Sequence, residues 1–246
     1  MAVSAAKLIK VGGAETLPPL IFLHGFGADH LSWTFIASQF TSTHQVWAVD
    51  LPGHGGAGNE VGRGTLAELR ESVGEALRPI LAPGAALVGH SLGGALAIDL
   101  AGRFRHLVDR MVLIAPGGLV PLRDSEFITR FPQIRTAQEA IDHLRRLVVK
   151  QHLISEPMAQ YLLASLDRDG RRAALQTIGA NLLSAQRFPE PLPAHPMLIW
   201  GGEDQVFPAP AADRLRTPVS LLPGVGHLPM AEAPRDVAAL IKDHLR

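Results

Sequence analysis

The segment Gly89-His90-Ser91-Leu92-Gly93 sets a serine between two glycines, directly after the apolar run Ala85–Val88 and at the head of a helical pattern beginning at Leu92. A strand that turns this sharply into a helix holds its serine in a strained conformation, with the hydroxyl lifted clear of the backbone. The turn also aims the free N–H groups and dipole of the helix N-terminus at any negative charge that develops there. The chemistry open to such a serine is nucleophilic attack on a carbonyl. That needs a base, an acid to orient the base, and donors for the oxyanion. Alone the pattern is a weak signal, because a glycine-flanked serine can simply cap a helix. Its weight depends on partners elsewhere in the chain.

Leu23-His24-Gly25-Phe26-Gly27 follows the first strongly apolar run, where the backbone N–H of Phe26 can meet a tetrahedral oxygen. The N–H of Leu92, the residue after the serine, is the second expected donor. His24 itself reads as a loop histidine with local hydrogen bonds. Glu203 and Asp204 share the turn Trp200-Gly-Gly-Glu-Asp204, and either carboxylate can orient an imidazole. Eleven histidines compete for the role of base. His44, His106, His143, His152, His195 and His244 fall in helical or loop stretches with no partner motif, and read as surface or satisfied core residues. His54 reads as loop-shaping, His90 as pointing away from the nucleophile, and His30 as close enough to the oxyanion loop to line a pocket. His227 differs, standing on the glycine-rich loop Pro223-Gly-Val-Gly-His227 after the last apolar run. There is no H-E-x-x-H spacing and no cysteine, so a metal hydrolase, a thiolate nucleophile and a disulfide framework receive no support. No cofactor is implied.

Bringing these groups together is the task of the elements between them. Leu20–Leu23, Val46–Val49, Ala85–Val88, Met111–Ile114, Met197–Trp200 and Val219–Leu222 are short and mostly continuous apolar runs, as strands buried on both faces should be. Helical patterns alternate with them, the signature of a mostly parallel sheet covered on both sides. Thr65 and Glu68 form a capping box ahead of a helix to about Leu81, with Leu66, Leu69, Val73 and Leu77 on one face. A second helix is expected from Leu92 to about Phe104. A third stripes Val237, Leu240, Ile241 and Leu245 behind Pro234. From Pro116 to about Pro193 only helical patterns occur: a capping box at Thr136/Glu139, a start at Ser155-Glu-Pro157, and a stretch from Arg171 to Phe188. Such an insertion reads as a cap over the C-terminal edge of the strands, where open α/β sheets place their sites. The expected division is core 1–116, helical cap 117–192 and core 193–246. Before Leu20 only Lys7–Val11 offers a strand, so an opening hairpin should be short or absent.

The 246 residues, 47% hydrophobic and 19% charged, suit one α/β domain with a sizeable core. Lys+Arg and Asp+Glu both number 23, which gives no electrostatic reason to bind nucleic acid or an anionic membrane. No apolar run approaches the roughly 18 residues of a membrane-spanning helix, and Met1–Lys10 carries no signal-type apolar core. The expectation is a soluble cytoplasmic protein with a small-molecule acyl substrate and no nucleic-acid or membrane partner. Homo-oligomerisation is left open.

In order, H-G-F-G (24–27), D-L-P-G-H-G (50–55), G-H-S-L-G-G (89–94), W-G-G-E-D (200–204) and G-V-G-H-L-P (224–229) resemble the α/β-hydrolase superfamily over nearly the full chain. The resemblance implies an α/β-hydrolase fold, a mostly parallel central sheet flanked by helices, with an all-helical cap inserted after the sixth strand. It also implies the chain order nucleophile, acid, base: Ser91, Asp204, His227. Asp204 is preferred to Glu203 because the superfamily places its acid at that point of a W-G-x-x-D turn. In texture, residues His24–Trp33, the D-L-P-G-H-G turn and the cap are similar to the hydrolase-like domain of acetoin dehydrogenase dihydrolipoyl acetyltransferase subunits. No lipoyl domain is expected within these 246 residues, and they lack the H-x-x-x-D-G motif of the ordinary acetyltransferase core. Relatives with an aspartate nucleophile are set aside by Ser91. Carbon–carbon hydrolases of ring-cleavage products favour a proline where Ala28 stands. The expected activity is hydrolysis of a carboxylic ester or related acyl bond through an acyl-enzyme on Ser91. The alternatives are transfer to another acceptor, carbon–carbon hydrolysis, and a catalytically silent binding module.

Overall fold

Aliphatic runs bounded by glycine, proline and polar clusters form seven strands in the computed structural model, which describes residues 2–183, 188, 191–210 and 214–246. They are β1 (Lys7–Gly12), β2 (Pro19–Leu23), β3 (Gln45–Asp50), β4 (Ala85–His90), β5 (Val108–Ile114), β6 (Pro196–Gly201) and β7 (Val219–Leu222). Their order across the sheet is β1-β3-β2-β4-β5-β6-β7, with β1 antiparallel to β3 and every other pair parallel. The period of two along a strand splits the core into two layers. In β2, Ile21 and Leu23 join one buried cluster while Leu20 and Phe22 join the other.

The first layer is covered by α1 (Leu66–Leu77) and α2 (Leu92–Arg103). Short 3-10 turns at His30–Trp33 and Ala37–Phe40 cover the second, together with two C-terminal helices that follow the insertion described next. The Thr65/Glu68 capping box forms as expected. The helix ends at Leu77 rather than near Leu81, because Pro79 lacks an N–H and its ring disfavours helix just before it.

Between β5 and β6 lie α3 (Ser125–Arg130), α4 (Ala137–Arg145), α5 (Glu156–Leu166) and α6 (Arg171–Leu182). The Thr136/Glu139 box caps α4. Pro157 sits in the first turn of α5, but the Ser155 side chain makes no capping bond. Helix α3, which no box announces, is started by Asp124, whose side chain accepts from the N–H groups of Glu126 and Phe127. Of the stretch expected to run to Phe188, α6 ends at Leu182, and 184–187 lie outside the described residues. The insertion follows the fifth strand in chain order, not the sixth, because a single strand rather than a hairpin precedes β2. After β7 come α7 (Pro229–Glu232) and α8 (Pro234–His244). No helix among the described residues is long and apolar enough to cross a membrane.

The inserted helices sit on the loops at the C-terminal ends of the strands. Tyr161 of α5 donates to Asp29 Oδ2 at 2.5 Å. Buried Arg171 of α6 donates to the carbonyl of Gly55 at 2.9 Å and to Asn59 Oδ1 at 2.7 Å. Beneath them β2 connects to β3 on one side of the sheet, while β4, β5, β6 and β7 step away on the other. The β2/β4 boundary is therefore a topological switch point, and the crevice above it is where such sheets bind ligands.

Candidate active site

The two strands at that switch point deliver two of the expected motifs. Strand β4 reverses into α2 at Ser91, which adopts φ 51° and ψ −114°, a conformation costing an L residue about 1–3 kcal/mol. The surroundings hold it there. Its N–H donates to Ile114 at 3.0 Å, and its carbonyl accepts from Gly94 (3.0 Å), Ala95 (3.1 Å) and Gly117 (3.0 Å). The Ser91 side chain makes no capping bond, so it is not serving merely as a helix cap. A Cβ at Gly93 would overlap the carbonyl oxygens of Leu23 and His24, so only glycine lets the head of α2 lie against the end of β2.

The loop after β2 lies against the serine. A Cβ at Gly25 would stand 3.2 Å from Ser91 Cβ and 2.8 Å from His90 Nδ1. The N–H groups of Phe26 and Leu92 have no hydrogen-bond partner among the described residues, so both are free to donate to a ligand oxygen. His24 shapes this loop. Its Nδ1–H donates to the Gly25 carbonyl at 2.8 Å, and its Nε2 accepts from the Leu51 N–H at 3.1 Å. Full burial lowers its pKa and keeps it neutral. His54 donates to the Pro52 carbonyl at 3.0 Å and packs 5.9 Å from the Phe26 ring. Burial holds its pKa well below the usual range. His30 is committed to Asp50 Oδ1 through both its backbone N–H (2.8 Å) and its ring (2.9 Å).

The turns after β6 and β7 supply the remaining pair. His227 Nδ1 lies 2.7 Å from Asp204 Oδ2, and both residues are buried. The other oxygen of Asp204 accepts from the N–H groups of Val206 (2.8 Å) and Phe207 (2.9 Å), which fixes the carboxylate's orientation. With Nδ1–H donating to Asp204, Nε2 carries the lone pair that could accept a proton. Glu203 faces elsewhere, accepting from the Val225 N–H at 3.0 Å and closing the turn.

His90 is not turned away from this site as its position in the elbow suggests. Its ring packs 4.7 Å from the His227 ring, and its Nε2–H donates to the His227 carbonyl at 2.8 Å. Burial, reinforced by His227, pushes its pKa well down, so it braces the His227 loop as a neutral donor. The contact also carries His227 to the neighbour of Ser91. Glu232, likewise missed in the sequence, accepts from the Gly226 N–H at 2.7 Å. The available signal was a lone carboxylate in the otherwise apolar stretch Leu228-Pro-Met-Ala-Glu-Ala-Pro234. Among the described residues no cluster of three or more His, Asp or Glu is placed to hold a metal ion.

Known proteins carry related sequences and the same fold. The sequence model of the "Alpha/beta hydrolase family" matches residues 20–240. The chain is 31% identical, over 96% of its length, to the dihydrolipoyllysine-residue acetyltransferase component of acetoin cleaving system of Cupriavidus necator, of which it spans 65%. It is 32% identical, over 93% of its length, to the pimeloyl-(acyl-carrier protein) methyl ester esterase of Aromatoleum aromaticum, covering 98% of that protein. A solved structure of a meta-cleavage product hydrolase from Pseudomonas fluorescens superposes with a TM-score of 0.84 at 20% identity, covering 98% of this chain and 94% of that one, which is a likeness of fold.

Proposed function

This chain belongs to the alpha/beta hydrolase family, and on that premise we propose that it hydrolyses a carboxylic ester or related acyl bond through an acyl-enzyme on Ser91. The observation that carries the reading is the buried Asp204–His227 pair at 2.7 Å, whose imidazole packs against His90, the residue before a strained serine with a hydroxyl not spent on capping its helix. As Ser91 Oγ bonds to the carbonyl carbon, His227 Nε2 takes its proton and Asp204 stabilises the resulting imidazolium. The N–H groups of Phe26 and Leu92 receive the oxyanion. Collapse breaks the ester bond, and the alcohol leaves with the proton from His227. Water then adds to the acyl-Ser91, again giving a proton to His227, and the second collapse releases the acid and restores the serine.

In this reading the described residues of 117–192 act as the cap and shape the acyl pocket. Its support is a run of ring contacts from Phe26 to Phe131 (5.5 Å) and on to His143 (5.3 Å), with Phe127 stacked on His143 at 4.4 Å. No step requires a cofactor.

A fluorophosphonate probe tests the nucleophile. Wild type should label at Ser91 and turn over p-nitrophenyl esters; Ser91→Ala should not label and should lose on the order of 10³-fold or more in turnover. An unlabelled wild type, or equal labelling of Ser91→Ala, overturns the proposal. A second reading, transfer of the acyl group to a thiol or alcohol, is favoured by the likeness to the acetyltransferase component of the acetoin cleaving system. It predicts that an added thiol captures the acyl group in preference to water.

A further inference from the structure

We propose that Glu232 is a positioning residue for the base, locking the His227 loop to the inserted helical segment; the proposal rests on His227 serving as the base. Glu232 closes α7 and is only 4% exposed. One carboxylate oxygen accepts from the Gly226 N–H at 2.7 Å, immediately before His227. The other accepts from the N–H groups of Val149 (2.8 Å) and Lys150 (2.9 Å), in the chain that leaves α4. Two further bonds run in parallel: His227 N–H to the Leu147 carbonyl at 2.7 Å, and Lys150 Nζ to the Glu232 carbonyl at 2.7 Å. The two strips of backbone are in close contact, since a Cβ at Gly226 would stand 2.7 Å from the Leu147 oxygen.

The chemistry of the clasp is specific to a carboxylate. Three N–H groups converge on it, and an ionised carboxylate presents only acceptors, whereas an amide must turn its NH₂ toward one set of donors. Bonds to the charged form are also the stronger ones. Counted from His227, the imidazole is held by Asp204, the carbonyl by His90, the N–H by Leu147, and the preceding N–H by Glu232. Glu232 touches neither the reacting atoms nor the imidazole, so its influence passes through the peptide that aims the ring. A displacement of about 1 Å at a catalytic group can cost 10²-fold in rate.

The test uses the full chain, with turnover counted per fluorophosphonate-titratable Ser91. For Glu232→Gln, kcat per site and the labelling rate should both fall about 10–100-fold, with KM changed by less than about threefold. Glu232→Asp keeps both oxygens and should recover part of the loss. A residue that served stability alone would reduce the number of titratable sites and leave kcat per site and labelling rate at wild-type values; that result overturns the proposal. If Glu232→Gln does not fold, Glu232→Asp decides alone: a lowered kcat per site supports positioning, and a wild-type value overturns it. His227→Ala separates the two levels. Loss of activity there with an unaltered Glu232→Gln removes only the clasp's role, while wild-type turnover in His227→Ala removes the catalytic reading beneath it.

Discussion

Two adjacent carboxylates, Glu203 and Asp204, show how much a single bond distinguishes residues of the same chemistry. Asp204 faces the His227 imidazole, and Glu203 holds the Val225 N–H. Asp204→Asn should therefore lower kcat about 10³–10⁴-fold by disturbing the imidazole tautomer. Glu203→Gln should change kcat less than about tenfold while lowering stability by about 1 kcal/mol; ester kinetics and urea melts on the two variants check the contrast. Tyr161 offers a second test, being the sole tyrosine in the chain. Partial burial, then its bond to Asp29 and the charge there, pushes its phenol up to about 12. An absorbance titration should show that midpoint in place of about 10, and Asp29→Asn should bring it down. Because the folded state holds this proton more tightly, the associated stability is fully present below pH ~10 and is lost as pH rises through about 12.

The helical insertion is tied to the sheet by a few buried polar contacts as well as by its apolar face. Phe127, Phe131, Leu166 and Ile178 share one cluster with Leu23 and Phe26. Arg171 adds a guanidinium, 2% exposed, that reaches the loop after β3. Arg171→Met preserves bulk but leaves the Gly55 carbonyl and the Asn59 side chain without this donor. It should cost about 2–3 kcal/mol in chemical denaturation. A loss below 0.5 kcal/mol would show that the apolar face alone secures α6. The capping boxes at Thr65 and Thr136 were legible because their partners lie three residues away. The end of α1 was legible too, in Pro79, although amphipathic spacing continued past it.

Across the whole molecule, several buried histidines are held neutral. His24, His54, His90 and His143 all have pKa values lowered chiefly by burial, His143 to about 4. The unfolded chain binds more protons than the folded one below pH ~6.5, so their contribution to stability is present above that pH and fades as pH falls toward about 4. Melting temperature should decline steadily from pH 7 to pH 4. His143→Phe, which keeps an aromatic ring against Phe127 and Phe131, should flatten part of that slope.

What the sequence determined by itself was the alternation of strands and helices, the elbow at Ser91, the H-G-F-G loop and the family to which these motifs point. Those features are written in neighbours one to four residues apart, where backbone sterics and side-chain periodicity act directly. The tertiary structure alone decided which nitrogen and which oxygen meet. The family motifs already pointed to Asp204 and His227, but that Nδ1 meets Oδ2 across 23 positions, that His90 reaches the His227 carbonyl across 137 and that Glu232 joins Val149 across 83 is decided by the fold. Such bonds depend on where the loops at the ends of separate strands are carried by the sheet and the inserted helices. No periodicity records that placement, because it is set by the packing of the entire core.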